Sequence, residues 1–396
     1  MKIEKGSLKF DSISDISSYN FKNLLKNNSS DEVIDFLKNL NLTTGCLGIE
    51  YYTSENIPGS LLYEESLTPK SLEKEFGIPQ KTIETKAKDT NTIVALKNLT
   101  SKFGKPSKYY CIIHIDVDEM GKWMSGVKHD AYKKEFTIDI QRKLSKNLCK
   151  LSDEITKKIN CWGGYTIYAG GDDILALGPL EGALNIVSEI RSSFENYNKP
   201  FPSVSASLTI VHHLEHLQIA IEDAREALNL AKESFDRDSI IIRLRNHSGH
   251  IFTCGYKWNL KGDKDFIDLL YQLVDLMKIK GKDGLSPRFV FDILDVLPAF
   301  YENRKKWYFH NDMFVSEIKR LLLKHIGKNN DVLQSKTTLL PCLLSIIGDP
   351  KSDTQNELRQ FKEKSKYNGQ DNLQSFLKIA AFLAKEYREI LGKEDK

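Results

Sequence analysis

The run Gly170-Gly171-Asp172-Asp173 sits between two short apolar stretches, Tyr165–Ala169 and Ile174–Leu177. A Gly-Gly pair there is what a tight hairpin needs, because glycine reaches positive φ without a steric penalty. The glycines do not explain the aspartates. Adjacent carboxylates repel one another, and a turn needs only one polar residue, so the pair points to a divalent cation. Upstream, the apolar run Tyr109–Ile115 ends in Asp116-Val117-Asp118, and a period of two places both aspartates on one strand face. With that strand beside the hairpin, Asp116 converges with Asp172 or Asp173 at one end of a sheet. Such oxygen ligands suit a hard cation, Mg2+ or Mn2+.

The chemistry that fits is the joining of nucleotides, in which a ribose hydroxyl attacks an α-phosphate and pyrophosphate leaves. One cation lowers the pKa of the hydroxyl and a second neutralises the leaving oxygens, the two lying about 3.5–4 Å apart. No side-chain nucleophile is needed. Lys122, just past the first carboxylate strand, is placed to reach a triphosphate if the Met120-Gly121 turn folds back. Ser205 and Ser207 are candidates to line the nucleotide from a facing strand. His212-His213 and His129-Asp130 read as structural, the latter as a helix start.

The elements that must position these groups follow from periodicity. Residues from about 130 to 159 are rich in Lys, Glu and Leu without Pro or Gly and read as a helix, as does Glu181–Asn196. Val204–His212 reads as a strand. Leu214, Leu217, Ile221, Ala224, Leu228 and Ala231 form an apolar helical stripe, and Ser239–Leu244 and Ile251–Cys254 are further strands. The order strand, helix, hairpin, helix, strand, helix, strand predicts an α+β domain. Its plan is an antiparallel sheet with helices on one face, the ferredoxin-like (βαββαβ) arrangement of polymerase and cyclase palms.

The segments Pro106–Gly126 and Tyr168–Pro179 resemble the palm domain of the large polymerase-like subunit of type III CRISPR effector complexes, most closely the Cmr (III-B) branch. Ser205–His212 and the helix ending Leu230-Ala231-Lys232 fall where that family has a strand and a helix with a terminal lysine, and Leu62–Pro69 is faintly similar to a segment upstream of the palm. The resemblance is strong over residues 105–256. It implies catalytic Asp116, Asp172 and Asp173, and a two-metal set of Asp116, Val117, Asp172 and Asp173. It also implies nucleotide contacts from Gly170, Gly171, Lys122, Ser205 and Lys232, and ATP as the substrate for cyclic oligoadenylate messengers. Implied partners are crRNA backbone subunits and a small helical subunit, target RNA met indirectly, and a possible homodimer. The usual subunit is longer and carries an HD nuclease and a zinc ribbon. Here none of the six cysteines is paired at Cys-x-x-Cys spacing, so no zinc is expected.

Two readings stand beside this one. A diguanylate cyclase shares the palm, but its guanine-reading Asn is missing from Met120–Gly126, and the turn continues Ile174-Leu175. A noncatalytic scaffold subunit would keep the palm for assembly, yet it has no need of three converging carboxylates.

With 396 residues the chain has room for two or three domains. These are an N-terminal region of uncertain fold (1–104), the palm (105–260) and a C-terminal helical bundle (261–396), where strand patterns vanish. In the latter, Ser286-Pro287 opens one helix, and Leu373, Phe376, Leu377, Ala380, Leu383 and Tyr387 line another. Asn27–Asp31 reads as a loop. The net charge of +3, from 57 basic and 54 acidic residues, is small for a dedicated duplex binder. The basic and aromatic cluster Arg304–Tyr308 reads as a solvated helix end. The sequence has neither a membrane span nor a secretory leader, which makes the cytoplasm the expected compartment.

Overall fold

The computed structural model describes residues 12–86, 91–124, 138–170, 172–196, 203–260, 264–279, 284–302, 306–307, 311–325 and 369–391. Of the residues singled out above, Gly171, His129-Asp130, Arg304, Lys305 and Tyr308 lie outside these.

The N-terminal region is helical: α1 (Ile13–Ser17), α2 (Tyr19–Asn27), α3 (Asp31–Cys46), α4 (Pro69–Phe76), α5 (Gln80–Lys86) and α6 (Thr92–Phe103). Phe21 and Leu25, Val33, Phe36 and Leu40, and Leu96, Leu99 and Phe103 recur at three- and four-residue spacing, and they close on an apolar cluster of their own. Local signals fix the ends. The Thr68 hydroxyl accepts the amide of Ser71 and Pro69 follows at the first turn of α4.

The palm follows as β1 (Tyr109–Val117), α7 (Met120–Met124), α8 (Ile138–Cys161), β2 (Tyr165–Ala169), β3 (Asp173–Pro179), α9 (Leu180–Asn196), β4 (Val204–His212), α10 (Leu217–Glu233), β5 (Ser239–Arg245) and β6 (Ile251–Lys257). The strands form one sheet in the order β2-β3-β1-β4-β5-β6. Its first four strands are the ferredoxin-like core, antiparallel throughout, with α8 and α9 on one face.

The remainder corrects the expected plan. The chain crosses through α10 to β5, which runs parallel to β4, so the sheet is mixed and helices cover both faces. Both faces of β1 are apolar for this reason. Cys111, Ile113, Ile115 and Val117 pack with Leu151, Ile155, Val187 and Ile190 of α8 and α9, while Tyr110 and Ile112 pack with Ile16 of α1 and Ala220 and Ala224 of α10. A strand buried on both faces reads as a continuous apolar run. The buried stripe of α10 is also narrower than expected: Ala220, Ala224, Ala227, Leu228 and Ala231 are buried, whereas Leu214 is 65% and Leu217 36% exposed.

Beyond the sheet come β7 (Asn259–Leu260), β8 (Lys264–Asp265), α11 (Phe266–Lys278), α12 (Arg288–Val296), β9 (Tyr301–Glu302), β10 (Lys306–Trp307), α13 (Asn311–His325) and α14 (Gly369–Leu391). Strands therefore persist here, as two short antiparallel pairs. Lys306 and Trp307 belong to one of them rather than to a helix end. Helices α11, α12, α13 and α14 share one continuous apolar core with the sheet. The amide of Asn372 on α14 pairs with both backbone groups of Gly255, each bond 2.8 Å, and so occupies the outer edge of β6. Among the described residues, no helix is long and apolar enough to cross a membrane.

Candidate active site

The sequence motifs meet where β1 runs out. Asp116 on β1 is the direct cross-strand partner of Asp173 on β3 and of Ser205 on β4. The next pair outward is joined by a backbone bond from the Val117 amide to the Asp172 carbonyl, 2.8 Å. Antiparallel pairs alternate between bonded and non-bonded, so Asp116 and Asp173 form a non-hydrogen-bonded pair, with Cβ atoms about 4.5–5.5 Å apart on one face. Directly opposed like charges of this kind are destabilising by roughly 0.2–1 kcal/mol. Asp172 precedes β3 and is exposed.

Each member of the pair has its own cationic or polar partner. The Lys232 ammonium, at the last turn of α10, lies 2.6 Å from Asp116, both side chains about one-quarter to one-third exposed. His114 precedes Asp116 by two residues on the same face, and its Nε2 lies 2.9 Å from Asp173 Oδ1. Its other ring nitrogen, Nδ1, is buried without a hydrogen-bond partner. That arrangement fits a tautomer carrying its proton on Nε2. Burial raises the pKa of Asp116, Lys232 lowers it through its hydrogen bond and charge, and the neighbouring Asp173 and Asp118 raise it again. The net shift is upward.

Asp118 stays on the side of the sheet that Asp116 faces, where Ser205, the cross-strand partner of Asp116, donates to it. The strand ends at Val117, Glu119 takes a positive φ of 54°, and Asp118 sits between them against the protein interior. There it is 3% exposed and accepts the hydroxyls of Ser203 (2.8 Å) and Ser205 (2.6 Å) and the amide of Asp238 (3.0 Å). Ser205 is therefore wholly buried and committed to Asp118 rather than lining a nucleotide. Ser207 is likewise committed, to the Ala224 carbonyl of α10 at 2.9 Å. Lys122 lies on the short helix α7 instead of a turn that folds back, is 58% exposed and pairs with Glu119 at 2.6 Å. Gly170 does not use positive φ. Its amide donates to the Asp173 carbonyl at 2.8 Å, and a Cβ there would overlap the Tyr168 ring and hydroxyl.

Sequence reasoning missed His114, although its signal was present: two residues before Asp116, it must share that face. It also missed the turn after α10, where Asp236, Arg237 and Asp238 have φ of 52°, 58° and 43°. Left-handed backbone costs residues with a Cβ roughly 1–2 kcal/mol each. The Lys257 ammonium bridges the carbonyls of Asp236 and Arg237, 2.7 Å each, and holds this turn.

Among the described residues, no three carboxylate, imidazole or thiolate side chains are arranged to hold a metal ion by themselves. Two carboxylates at a half-open sheet end are nonetheless a fitting donor set for Mg2+ or Mn2+. Such ions take one or two carboxylates, with substrate phosphates and water completing the shell.

Residues 109–241 match the Cas10/Cmr2 second palm domain. The chain is 30% identical over 332 residues to the CRISPR system Cmr subunit Cmr2 of Pyrococcus furiosus, covering 73% of this chain and 37% of that protein. It thus spans little more than a third of that relative. In fold it is similar to a chain of the type III-B Cmr-beta complex bound to cognate target RNA, at TM-score 0.51 and 14% identity over 80% of this chain and 43% of that one. The same complex in its apo state gives TM-score 0.50 and 15% identity over 81% and 43%. The segment that carries Asp116 and Asp173 is thus a Cas10/Cmr2 palm domain, and the chain is similar over 73% of its length to a Cmr2 subunit.

Proposed function

We propose that the site is a metal-dependent nucleotidyltransferase centre that converts ATP to cyclic oligoadenylate-type products. The observation that carries this reading is the Asp116–Asp173 pair. Two carboxylates placed directly across a sheet weaken the fold, and a bound divalent cation turns that repulsion into attraction. Mg2+ or Mn2+ bound there would activate a ribose hydroxyl and neutralise the departing pyrophosphate.

The residues of the chain divide the remaining work. Asp116 and Asp173, with the backbone at Val117, would hold the ions, and His114 would keep Asp173 oriented. Lys232 would exchange Asp116 for a phosphate oxygen once the carboxylate is engaged. The new bond runs from the ribose oxygen to the α-phosphorus, and the bond from that phosphorus to the pyrophosphate oxygen breaks. The hydroxyl proton leaves to solvent.

The setting we infer is a type III CRISPR ribonucleoprotein in the cytoplasm. Its crRNA backbone subunits and small helical subunit would be the protein partners, and target RNA would be sensed through them. Incubating the purified chain and its assembled complex with labelled ATP or GTP and Mg2+ or Mn2+ tests this. Adenylate oligomers or rings that vanish in the Asp172→Ala/Asp173→Ala double variant are expected. Product from GTP alone would favour a diguanylate-type cyclase. No product from chain or complex would leave a scaffold.

A further inference from the structure

We propose that Asp118 is a positioning residue, a buried carboxylate that fixes the left-handed turn Asp236–Asp238 and through it seats Lys232 on Asp116. Three separate pieces of chain meet on this one side chain. It lies just past the end of β1, two residues after Asp116. It accepts the hydroxyls of Ser203 and Ser205 where β4 begins, and the Asp238 amide just before β5. Its own amide donates to the Ser203 carbonyl at 2.8 Å, so backbone and side chain both tie the end of β1 to the start of β4.

The turn it holds is not one the chain adopts unaided. Three consecutive residues with a Cβ sit at positive φ, a conformation that persists only when its surroundings impose it. Asp118 fixes the far end of the turn and Lys257 the near end. The turn follows α10 directly, and the Arg237 amide donates back to the Ala231 carbonyl at 3.0 Å. Lys232 is thus bracketed between the helix and a clamped turn, with its ammonium on Asp116. A lysine has four rotatable stem bonds, and holding its base is what limits where its charge goes.

A buried carboxylate is costly unless its oxygens are satisfied. Three donors satisfy Asp118, and all three belong to segments that frame the site. Its charge acts on the site as well, as one of the influences that raise the pKa of Asp116.

The functional part of this inference rests on the nucleotidyltransferase reading, and the structural part does not. Asp118→Asn preserves shape and can keep part of the network, while Asp118→Ala removes it. Amine-selective acylation read by mass spectrometry reports on Lys232 without substrate, with exposed Lys122 as the internal reference. Lys232 labelling, normalised to Lys122, should rise about threefold or more in folded Asp118→Ala and less in Asp118→Asn, since a freed ammonium reacts faster. Unchanged labelling in both variants would overturn the proposal.

A double-mutant cycle with Lys232→Met, read as Mg2+-ATP affinity, separates positioning from general damage. Residues acting through one another couple by about threefold or more, whereas independent ones add. Additive losses would overturn the positioning role and leave the nucleotide reading standing. A wild-type chain that binds no ATP would remove the nucleotide reading, with the labelling result still deciding whether Asp118 seats Lys232.

Discussion

Asp116 and Asp173 face each other across β1 and β3 as direct register partners, and each is held by a different neighbour, Lys232 for the first and His114 for the second. The fold therefore stores a like-charge contact at the sheet end where β1 runs out. Lys232 screens one carboxylate. The other remains 43% exposed beside an imidazole, open to a cation arriving from solvent. Stability and function pull in opposite directions at this contact.

Asp173→Asn tests that opposition. Asparagine keeps an oxygen for the His114 Nε2 proton and removes the charge facing Asp116. The metal-free protein should gain roughly 0.2–1 kcal/mol. Its melting temperature should rise by about one to two degrees in a thermal scan. Nucleotidyl transfer should fall about 100-fold or more, because a charged ligand is lost from the site. A variant that melts lower than wild type would show that the pair is not repulsive.

Lys232→Met removes the cation that counteracts the upward push of burial on Asp116, whose pKa then rises further. A carboxyl with a folded pKa above its unfolded value favours the fold at acid pH, and that advantage is lost as pH rises through the folded pKa. Cation binding needs the ionised form. Calorimetric Mg2+ titrations between about pH 5 and 8 should show affinity failing at a higher pH on acidification in the variant than in wild type. Superimposable profiles would mean that Lys232 does not govern Asp116.

The parts of the site legible in the sequence were those written in local pattern. The apolar run Tyr109–Ile115, the Gly-Gly turn and the terminal lysine of α10 named the elements, and period two placed Asp116 correctly. Period two also put Asp118 on the same side, but alternation does not reveal that its oxygens are spent on Ser203, Ser205 and the Asp238 amide. Ser205 misled for a related reason. A small polar residue on a strand facing carboxylates reads as a ligand contact, but its hydroxyl is spent on Asp118. The second helical face of the sheet was hidden because strands buried on both sides lose the alternation that marks a covered face.

Asn372→Ala tests how the C-terminal helix joins the palm. The Asn372 side chain is 4% exposed and mimics a neighbouring strand, accepting from the Gly255 amide and donating to its carbonyl. Truncation leaves both buried groups of Gly255 unpaired. The loss should be about 1–3 kcal/mol in urea denaturation, since each buried unpaired group costs on that scale. A loss below about 0.5 kcal/mol, the size of an ordinary surface substitution, would mean that water replaces the amide.

Glu181→Gln tests the seam between the N-terminal helices, the palm and α14. Glu181 opens α9, hydrogen-bonds the Asn20 side chain, and its charge is felt by Tyr63, Cys111 and Tyr387. Its Oε2 is buried without a partner. Burial pushes its pKa up to about 7. The folded value lies above the unfolded one, so the stability linked to its proton is fully present below about pH 4.5 and is lost as pH rises through about 7. Wild type should therefore lose on the order of 2 kcal/mol between about pH 5 and 8, less than full burial implies because the residue keeps some exposure. Glutamine has the same shape and no proton to release. Urea denaturation across that range should give a flatter profile for the variant, which matches wild type at the acid end and exceeds it at the alkaline end. Parallel profiles would place the titration elsewhere, and the unpaired oxygen of Glu181 would then carry no pH-dependent cost at the junction of the three regions.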